Sequence, residues 1–422
     1  MTDGLTGPEA LEPDIALHES EPVVAEHAEV GARVAQARRR AGMTGSQLGA
    51  AVGLRKDQIS KIESGKRRLD IGELPGIAAA LDVTVRYLLG QPERPSLAIA
   101  SRLTVGAGPY STRAARRRAR QLLELDDLLG RAVDMPPACP SSAGRTVMEL
   151  AQIKFTSQPR SKAAAQSQGR QLAELTRHEL DLGGDALGDL ASLFEQHFAV
   201  DVALSPLGTQ ADGLCVHGDA TALILASSDF PDGHLRFTLA HELGHHLFGD
   251  PREIIDETEQ DMFADTSAEW RANAFAAHLL MPERGLLSVL DWLGETPGAV
   301  SERAIVSLME HFGVSMAALI YQLNVIGVLD YKAGQRFRSA NRVHAMVSRH
   351  RDVAPTGAAT IVRSARRAPE RLTRHALTAA RSQRLGLSVV AALLERDDDE
   401  QLWEDVMGDS SATVNADDDI VL

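Results

Sequence analysis

The sequence predicts a multidomain protein, with an all-α domain near the N-terminus, an α+β domain after it and a helical C-terminal region. Three observations favour this class. The chain has 422 residues, a length typical of about three domains. Residues 27–90 contain short helical segments that glycines interrupt. From about residue 147 onward, helical patterns alternate with short strand patterns, which is typical of an α+β domain.

Composition and charge narrow the class of protein. The net charge is −14 at pH 7, and charged residues make up 24% of the chain. No apolar run reaches the ~18 residues that a membrane span needs, and the acidic start of the chain lacks the features of a signal peptide. Cys139 and Cys215 show no CxxC spacing, so we expect neither a structural disulfide nor a thiolate metal site. We therefore expect a cytoplasmic protein that contacts no membrane.

Breaker-rich and acidic stretches predict the domain boundaries. Proline and glycine cluster on either side of a basic helical stretch that follows the first domain, and both chain ends are acidic. We expect a disordered tail at residues 1–26, the first domain at 27–92, a linker with a basic helix at 93–146, the α+β domain at 147–345, a helical region at 346–395 and an acidic disordered tail at 396–422.

The first domain divides into short helices with recognisable ends. Thr44 and Gln47 have the T-x-x-Q spacing of a capping box, which begins a helix, and Gly53 ends that helix. A second helix is expected over residues 56–63. Two short helices joined by a tight turn that contains glycine are typical of the helix-turn-helix motif. The apolar seam between them is expected to consist of Leu48, Val52, Ile59 and Ile62.

The same segment is a basic island in an acidic chain. Ten basic and two acidic residues lie between residues 31 and 68, which gives a local charge of +8. Such a surface fits double-stranded DNA, because lysine and arginine neutralise phosphates. The alternative is a small basic domain that binds an acidic protein or one of this chain's own acidic tails.

This domain resembles the XRE family of phage-repressor-type helix-turn-helix regulators, and the run "ISKIESGKRR" carries most of the resemblance. The resemblance implies that helix 56–63 lies in the major groove of DNA and that the protein is a homodimer, since such repressors read paired half-sites. Two residues depart from the family pattern. Gly45 cannot make the contact of the glutamine usual there, and Arg55 replaces a small capping residue. The implied DNA-contacting residues are Arg55, Lys56, Asp57, Gln58 and Lys61.

The stretch "RFTLAHELGHHLFGD" contains the pattern H-E-x-x-H. On a helix, residues four apart share one face, so His241 and His245 can offer two imidazole nitrogens to one Zn²⁺ ion. Glu242 lies beside them, in the position of a general base rather than a ligand. The apolar residues around the motif indicate that this helix is buried.

Zinc needs a third protein ligand, and Glu269 is the leading candidate because a second helix can carry it back beside the first. Thr266 and Glu269 also have the spacing of a capping box, so a purely structural role for Glu269 stays open. His246 and His278 are weaker candidates, since the helical period directs them away from His241 and Glu269 respectively.

The H-E-x-x-H segment followed by "EWRANAFAAHLLMP" resembles the ImmA/IrrE-type metallopeptidases over roughly residues 147–330. The resemblance implies a zincin-like fold of gluzincin type. It also implies that His241, His245 and Glu269 hold one Zn²⁺ per chain and that Glu242 is the catalytic base. Asn273 is expected to support the ligands. Arg271 stands where the family often has an acidic residue, so it is not expected to bind metal.

Together the two resemblances imply a bacterial transcriptional regulator with a zinc endopeptidase domain. Its protein substrate would be a helix-turn-helix repressor, or the chain itself, cleaved in a stress response. One alternative is a regulator whose peptidase-like domain is a sensor with little or no proteolysis. Another is a module that only binds proteins, which leaves the zinc motif unexplained. The protein would be associated with the nucleoid when bound to DNA.

The basic island generates a prediction about DNA binding. If the domain neutralises six or more phosphates, its affinity for DNA falls by about 10³-fold or more between ~50 and ~200 mM salt, because counterions are released. Fluorescence anisotropy with labelled duplexes measures this slope. Lys56→Ala is expected to change the preferred DNA sequence. A flat salt response would instead indicate an acidic protein partner.

Overall fold

A computed structural model describes residues 21–67, 69, 73–81, 83, 85–90, 98–103, 113–133, 135–208, 211–217, 222–250, 267–337, 366–396 and 400–407. The chain divides into two compact units, Met1–Pro95 and Ser96–Leu422. Each unit has its own hydrophobic core. Residues 1–20, 346–365 and 408–422, which belong to the expected tails and C-terminal region, lie outside the described residues.

The first unit is all-α. Thr44 caps α2 as expected: its side chain accepts from the Gln47 backbone amide, and Gln47 accepts in return from that of Thr44. Gly53 ends α2 in the left-handed region, with φ at 70°. The first helix begins at Glu21, so the expected disordered tail at 1–26 is wrong for its last six residues. The helices are α1 Glu21–Arg40, α2 Gly45–Val52, α3 Lys56–Glu63, α4 Leu74–Leu81 and α5 Val85–Leu88.

A small core ties these five helices together. Leu48 of α2 and Ile59 and Ile62 of α3 are fully buried, which confirms three residues of the expected seam, while Val52 is half-buried at its edge. Arg38 at the end of α1 forms a short ion pair with Glu63 at the end of α3, with 2.5 Å between Nε and Oε1. The remaining core residues are Val34, Ala37, Leu74, Ile77, Ala78, Leu81 and Leu88.

The second unit is built around a four-stranded sheet in the order β1-β3-β4-β2. The strands β1 and β3 pair antiparallel, as do β3 and β4, whereas β2 and β4 pair parallel. Side chains of β2–β4 alternate between two cores, as the period of two in a strand requires. Val202, Cys215 and Ile224 face the first core; Ala203, Leu214 and Leu225 face the second. The strands are β1 Ala98–Leu103, β2 Val200–Ser205, β3 Ala211–His217 and β4 Ala222–Ser227.

Helices from the middle of the chain form the larger core on the first face of the sheet. Its centre contains four fully buried phenylalanines, at positions 194, 198, 275 and 312. The helices are α7 Ser142–Lys154, α8 Lys162–Glu179, α9 Leu190–Phe198, α10 Asp232–Phe248, α11 Ser267–Leu280, α12 Glu283–Trp292, α13 Glu302–Phe312, α14 Met316–Val325 and α15 Tyr331–Gln335.

Four further helices cover the second face of the sheet. They are α6 Arg113–Ala132, α16 Glu370–Arg381, α17 Leu387–Leu394 and α18 Glu400–Met407. Each buries an apolar stripe in the second core; Leu129 of α6, Leu372 of α16 and Leu402 of α18 are examples. Arg371 joins three elements, because its guanidinium lies 2.6 Å from Asp201 of β2 and 2.7 Å from Asp126 of α6.

These helices correct three expected boundaries. The stretch 93–146 is not a linker, since it supplies β1 and α6 to the second unit. The helical region 346–395 is not separate from the α+β domain, because its described part packs on the sheet. The tail predicted at 396–422 begins later, since α18 places Leu402 and Val406 in the core. In each case the contacts that assign the segment to the second unit join residues that are far apart in the chain, and local patterns do not show such contacts.

Among the described residues, no single helix is long and apolar enough to cross a membrane. The pair α13 and α14 passes that test only when the two helices are taken together, and they are bent by 105° at their junction.

The close packing of α8 on α11 generates a stability prediction. A Cβ atom at Gly169 would lie 2.3 Å from the carbonyl oxygen of Arg271 and 2.7 Å from Cβ of Ala274. Gly169→Ala therefore forces the helices apart and should lower the free energy of unfolding by about 1–3 kcal/mol. Urea titration followed by tryptophan fluorescence measures this, since all three tryptophans lie in the second unit.

Gly130→Ala is the matched control, because Gly130 is an exposed helical residue with nothing within 4 Å of its Cβ position. This substitution should raise the free energy of unfolding by about 0.4–1 kcal/mol. Equal effects of the two substitutions would contradict the packing described for α8 and α11.

Candidate metal centre

The helix α10 runs between the sheet and α11 and carries the H-E-x-x-H residues. It ends at Gly249, whose φ of 60° is left-handed. Gly244 permits the close approach of α11, since a Cβ there would lie 3.0 Å from Phe275 and 3.3 Å from Cα of Ala272. The sequence thus places a small residue where the two helices that carry the site touch.

Three side chains meet between α10 and α11. Nε2 of His241 lies 3.0 Å from Nε2 of His245. The carboxylate of Glu269 reaches both, with 3.3 Å from Oε2 to His241 and 3.3 Å from Oε1 to His245. In the described part of the chain, these three residues form a group that could hold a metal ion. The structure therefore brings the three expected ligands together.

The outer nitrogens of both imidazoles are held by acceptors. Nδ1 of His241 lies 3.1 Å from Oδ1 of Asn273, and Nδ1 of His245 lies 2.9 Å from Oδ2 of Asp250. An acceptor at Nδ1 holds the proton there, which turns the lone pair of Nε2 inward. In that tautomer two lone pairs and a carboxylate point at one another, which is the arrangement of donor atoms that a cation binds. The donor set fits a divalent metal ion.

The carboxylates of the site are held in the charged form. Burial raises the pKa of Glu269, but hydrogen bonds and charge from His241 and His245, in the form that carries a proton on Nε2 when no metal is bound, outweigh burial and hold that pKa far below its ordinary value. Burial likewise raises the pKa of Asp250, and hydrogen bonds and charges from His245 and Arg271 bring it below the ordinary value. Ionised carboxylates are the form that binds metal and orients imidazole.

Asp250 and Arg271 contact the site in a way that the sequence did not reveal. Asp250 follows the glycine that ends α10, and its carboxylate accepts from His245 while it pairs with the guanidinium of Arg271 on α11. That guanidinium also lies 4.4 Å from the ring centroid of Phe248. Arg271 pairs with the carboxylate that contacts His245. The only sequence signal was an acidic residue at a helix end.

Glu242 lies beside the ligands and is 0% exposed. It faces β3, because a Cβ at Gly213 would lie 3.6 Å from its Cγ. Cys215, on the same face of β3, is fully buried; burial and the charge of Glu242 raise the pKa of its thiol well above the ordinary value. Cys215 therefore lies in the core as a neutral thiol.

The weaker candidates lie elsewhere. His278 is on the opposite side of α11, where its Nδ1 lies 3.1 Å from Nε2 of Gln322 and burial lowers its pKa to about 4. His246 is half-buried and outside the group that could hold a metal ion. Thr266, the alternative capping partner of Glu269, lies outside the described residues.

In the first unit, the residues expected to contact DNA lie on or next to α3. Arg55, Lys56, Asp57 and Lys61 are exposed, whereas Gln58 is half-buried. The side-chain oxygen of Gln58 accepts from the backbone amide of Arg55 at 2.9 Å, which caps the helix in place of the missing small residue. Asp57 lies within 4.0 Å of both Arg55 and Lys61.

Comparison with known proteins agrees with both halves of this description. A model described as a helix-turn-helix matches residues 34–88, and a peptidase-family model described as an IrrE N-terminal-like domain matches residues 195–324. The chain joins an XRE-type helix-turn-helix domain to an IrrE-like metallopeptidase-type domain. The second match includes α10, α11 and the three strands β2–β4, but not β1.

The IrrE-like domain has a curated relative. The chain is 30% identical over 194 residues to the radiation response metalloprotease IrrE of Deinococcus radiodurans, which covers 45% of this chain and 55% of the relative. The chain thus spans about half the length of the relative that it matches.

Two solved structures are matched, both with low TM-scores. The restriction-modification controller protein C.AhdI from Aeromonas hydrophila is 25% identical, with a TM-score of 0.16 over 16% of this chain and 99% of that one. Bacillus thuringiensis PlcR, solved with the peptide PapR7 and DNA, is 12% identical, with a TM-score of 0.14 over 86% of this chain and 91% of that one.

The support of His245 by Asp250 generates a prediction. Asp250→Asn removes the charged acceptor at Nδ1 and leaves the Arg271 guanidinium without its buried partner. Zinc affinity, measured by competition with a chromogenic chelator, should fall by about 10–100-fold. Asp291→Asn, an exposed change on α12, should leave the affinity unchanged. If the two variants bind zinc equally well, Asp250 does not orient the ligand.

Proposed function

We propose that this protein is a DNA-binding regulator whose IrrE-like domain is a zinc-dependent endopeptidase. The observation that carries the proposal is the meeting of two imidazole nitrogens and one carboxylate within about the distance of a metal's coordination sphere, with Glu242 next to them on α10. His241, His245 and Glu269 would hold one Zn²⁺ per chain. A structural histidine cluster would not need three acceptors turned towards one point.

The chain's own residues have separable tasks in hydrolysis. Bound zinc supplies Lewis acidity, which polarises the scissile carbonyl and makes water more acidic. Glu242 takes a proton from the attacking water and passes it to the leaving amine. Asn273 and Asp250 keep the two imidazoles in the orientation that the ligands require.

The substrate follows from the pairing of the two domains. The curated relative is named a radiation response metalloprotease, which supports a role in a stress response. A helix-turn-helix domain in the same chain supports a target within the same regulatory circuit. We propose that the substrate is a helix-turn-helix repressor or this chain itself, that the first unit binds double-stranded DNA, and that the protein works as a cytoplasmic homodimer.

One observation favours a second function. Glu242 is completely buried, and His241 and His245 are only 1% exposed, so the arrangement described is closed to a peptide. A regulator that uses the metal centre as a sensor, with little or no proteolysis, needs no such access. The two functions differ in what happens when the base alone is removed.

Glu242→Gln separates these functions. The change keeps the shape of the side chain and removes the base, so zinc content should stay at one per chain while proteolysis falls by about 10²–10⁴-fold. Zinc is measured by mass spectrometry of metals, and cleavage by fragment analysis after incubation with helix-turn-helix repressors or with the chain itself. His241→Ala is the companion variant and should lose the metal.

The controls decide between the outcomes. Fragments that are the same in wild type and Glu242→Gln would come from a contaminating protease. If neither protein produces fragments while both hold zinc and bind DNA, the sensor function is favoured for the intact chain.

A further inference from the structure

The strand β1 lies outside the residues that match the IrrE-like domain, and it pairs with the edge strand of the matched sheet. The match covers β2, β3 and β4, whose order in the sheet is β3-β4-β2, so β3 is the outer strand of the matched domain. A strand at an edge presents a row of unpaired N–H and C=O groups, which is where an extended peptide binds. In this chain β1 takes that place, paired antiparallel along the length of β3.

The edge that β1 occupies borders the metal centre. Gly213 of β3 lies against Glu242 and Thr238 of α10, since a Cβ at that position would be 3.6 Å from Cγ of Glu242 and 2.6 Å from Cγ2 of Thr238. The residue of β1 that pairs with Gly213 is Arg102. Neighbouring strands are about 4.8 Å apart, so the backbone of β1 passes one strand spacing from the part of β3 that touches the base.

The pairing is irregular at this point. The register moves from Arg102 opposite Gly213 to Leu103 opposite Ala211, which leaves Asp212 as the extra residue of a bulge in β3. A bulge turns a side chain out of the regular alternation and is frequent next to active sites. Asp212 is buried and lies 3.0 Å from Nε2 of His234, which is on α10 about two turns before His241. The bulge in the β1–β3 ladder therefore directs Asp212 towards α10, the helix that carries His241 and His245.

The metal centre is closed in this arrangement. Glu242 is 0% exposed and the two histidines nearly so, whereas Glu269 keeps 23% of its side chain exposed. A general base has to reach a water molecule and a peptide carbonyl. The edge at which an extended peptide would pair is filled by β1. Both observations describe the form that the intact chain adopts without a substrate.

We propose that β1 is an internal peptide ligand that keeps the IrrE-like domain latent, and that a substrate binds as an extended strand on β3 in place of β1. The proposal rests on the endopeptidase function proposed above. The position of β1 in the chain suits a regulatory role. It begins three residues after the first compact unit ends at Pro95, so the segment that would block the peptidase directly follows the unit proposed to bind DNA.

A binding experiment tests the proposal without any need for catalysis. Residues 98–103 are replaced by Gly-Ser-Gly-Ser-Gly-Ser in the full chain, in a Glu242→Gln background so that the probe is not cleaved. The probe is a fluorescein-labelled peptide of residues 96–105, SLAIASRLTV. It should bind the replaced chain at least about tenfold more tightly than the chain with native β1, where most of the edge is occupied. A peptide with proline at positions 100 and 101, which lacks two amide donors, should bind neither.

Two results overturn the proposal. One is equal binding of the probe by both chains; the other is no binding by a replaced chain whose circular dichroism and melting temperature match those of the parent. If the replaced chain does not fold, Ser101→Pro in the full chain provides the second variant. It disturbs the β1 ladder alone, and it should increase hydrogen exchange of the β3 amides and binding of the probe.

An activity experiment separates this proposal from the endopeptidase function. With zinc and native Glu242, the replaced chain should cleave casein about tenfold faster than wild type, and excess unlabelled peptide should slow it again. Probe binding with no cleavage by either chain would leave the internal ligand standing and remove the endopeptidase function. Equal cleavage by both chains, or a cut of the wild-type chain within residues 98–103, would overturn the internal ligand in favour of an open site or a self-cleaved strand.

Discussion

Three hydrogen-bond acceptors turned towards one buried point are the constraint on which the second unit depends. Nε2 of His241, Nε2 of His245 and the Glu269 carboxylate lie about 3 Å apart, so that one cation could contact all three. Their positions are enforced from outside the cluster. Asn273 and Asp250 hold the outer imidazole nitrogens, Arg271 balances Asp250, and α8 presses α11 against α10. The packing of the helices and these hydrogen bonds therefore place the three side chains where a metal ion could bind them.

The rest of the domain keeps this cluster away from water. One face of the sheet carries the helices that hold the site, and the other is covered by α6 and α16–α18, so β2 and β4 are buried on both sides. The Arg371 ion pairs with Asp201 and Asp126 tie the C-terminal helices to the sheet and to α6. The sheet is thus packed on both faces behind α10. At its β3 edge, β1 is the strand that a peptide could displace.

Local sequence rules predicted the features that depend on helix geometry. The spacing of His241 and His245 follows from the helical period, and the caps at Thr44 and Gly53 follow from short-range hydrogen bonds, so each is readable from a few neighbouring residues. Glu269 needed the family resemblance, because 24 residues and a loop separate it from His245. The assembled positions of all three agree with the metal site that was expected, although the identity of the metal and its role stay proposals.

Features that depend on distant contacts could not be read from the sequence. Asp250 and Arg271 are 21 residues apart and meet only when α10 and α11 pack, so neither one alone indicates an ion pair. The segment 98–103 is short and lies among breaker residues, and its pairing partner is more than 100 residues away. The helix α6 was expected, but as part of a linker, and α18 lies among the acidic residues of the expected tail. In each case the missing information was the sheet face or helix against which the segment packs.

X-ray absorption at the zinc edge, on the full chain loaded with one equivalent of zinc, tests the central claim most directly. The expected spectrum has a first shell of nitrogen and oxygen at about 2.0–2.2 Å with the outer-shell signature of two imidazoles. Glu269→Gln should alter the oxygen contribution and leave the imidazole signature. A sulfur scatterer at about 2.3 Å, as a thiolate ligand gives, or a shell without imidazole, would contradict a centre built from His241, His245 and Glu269.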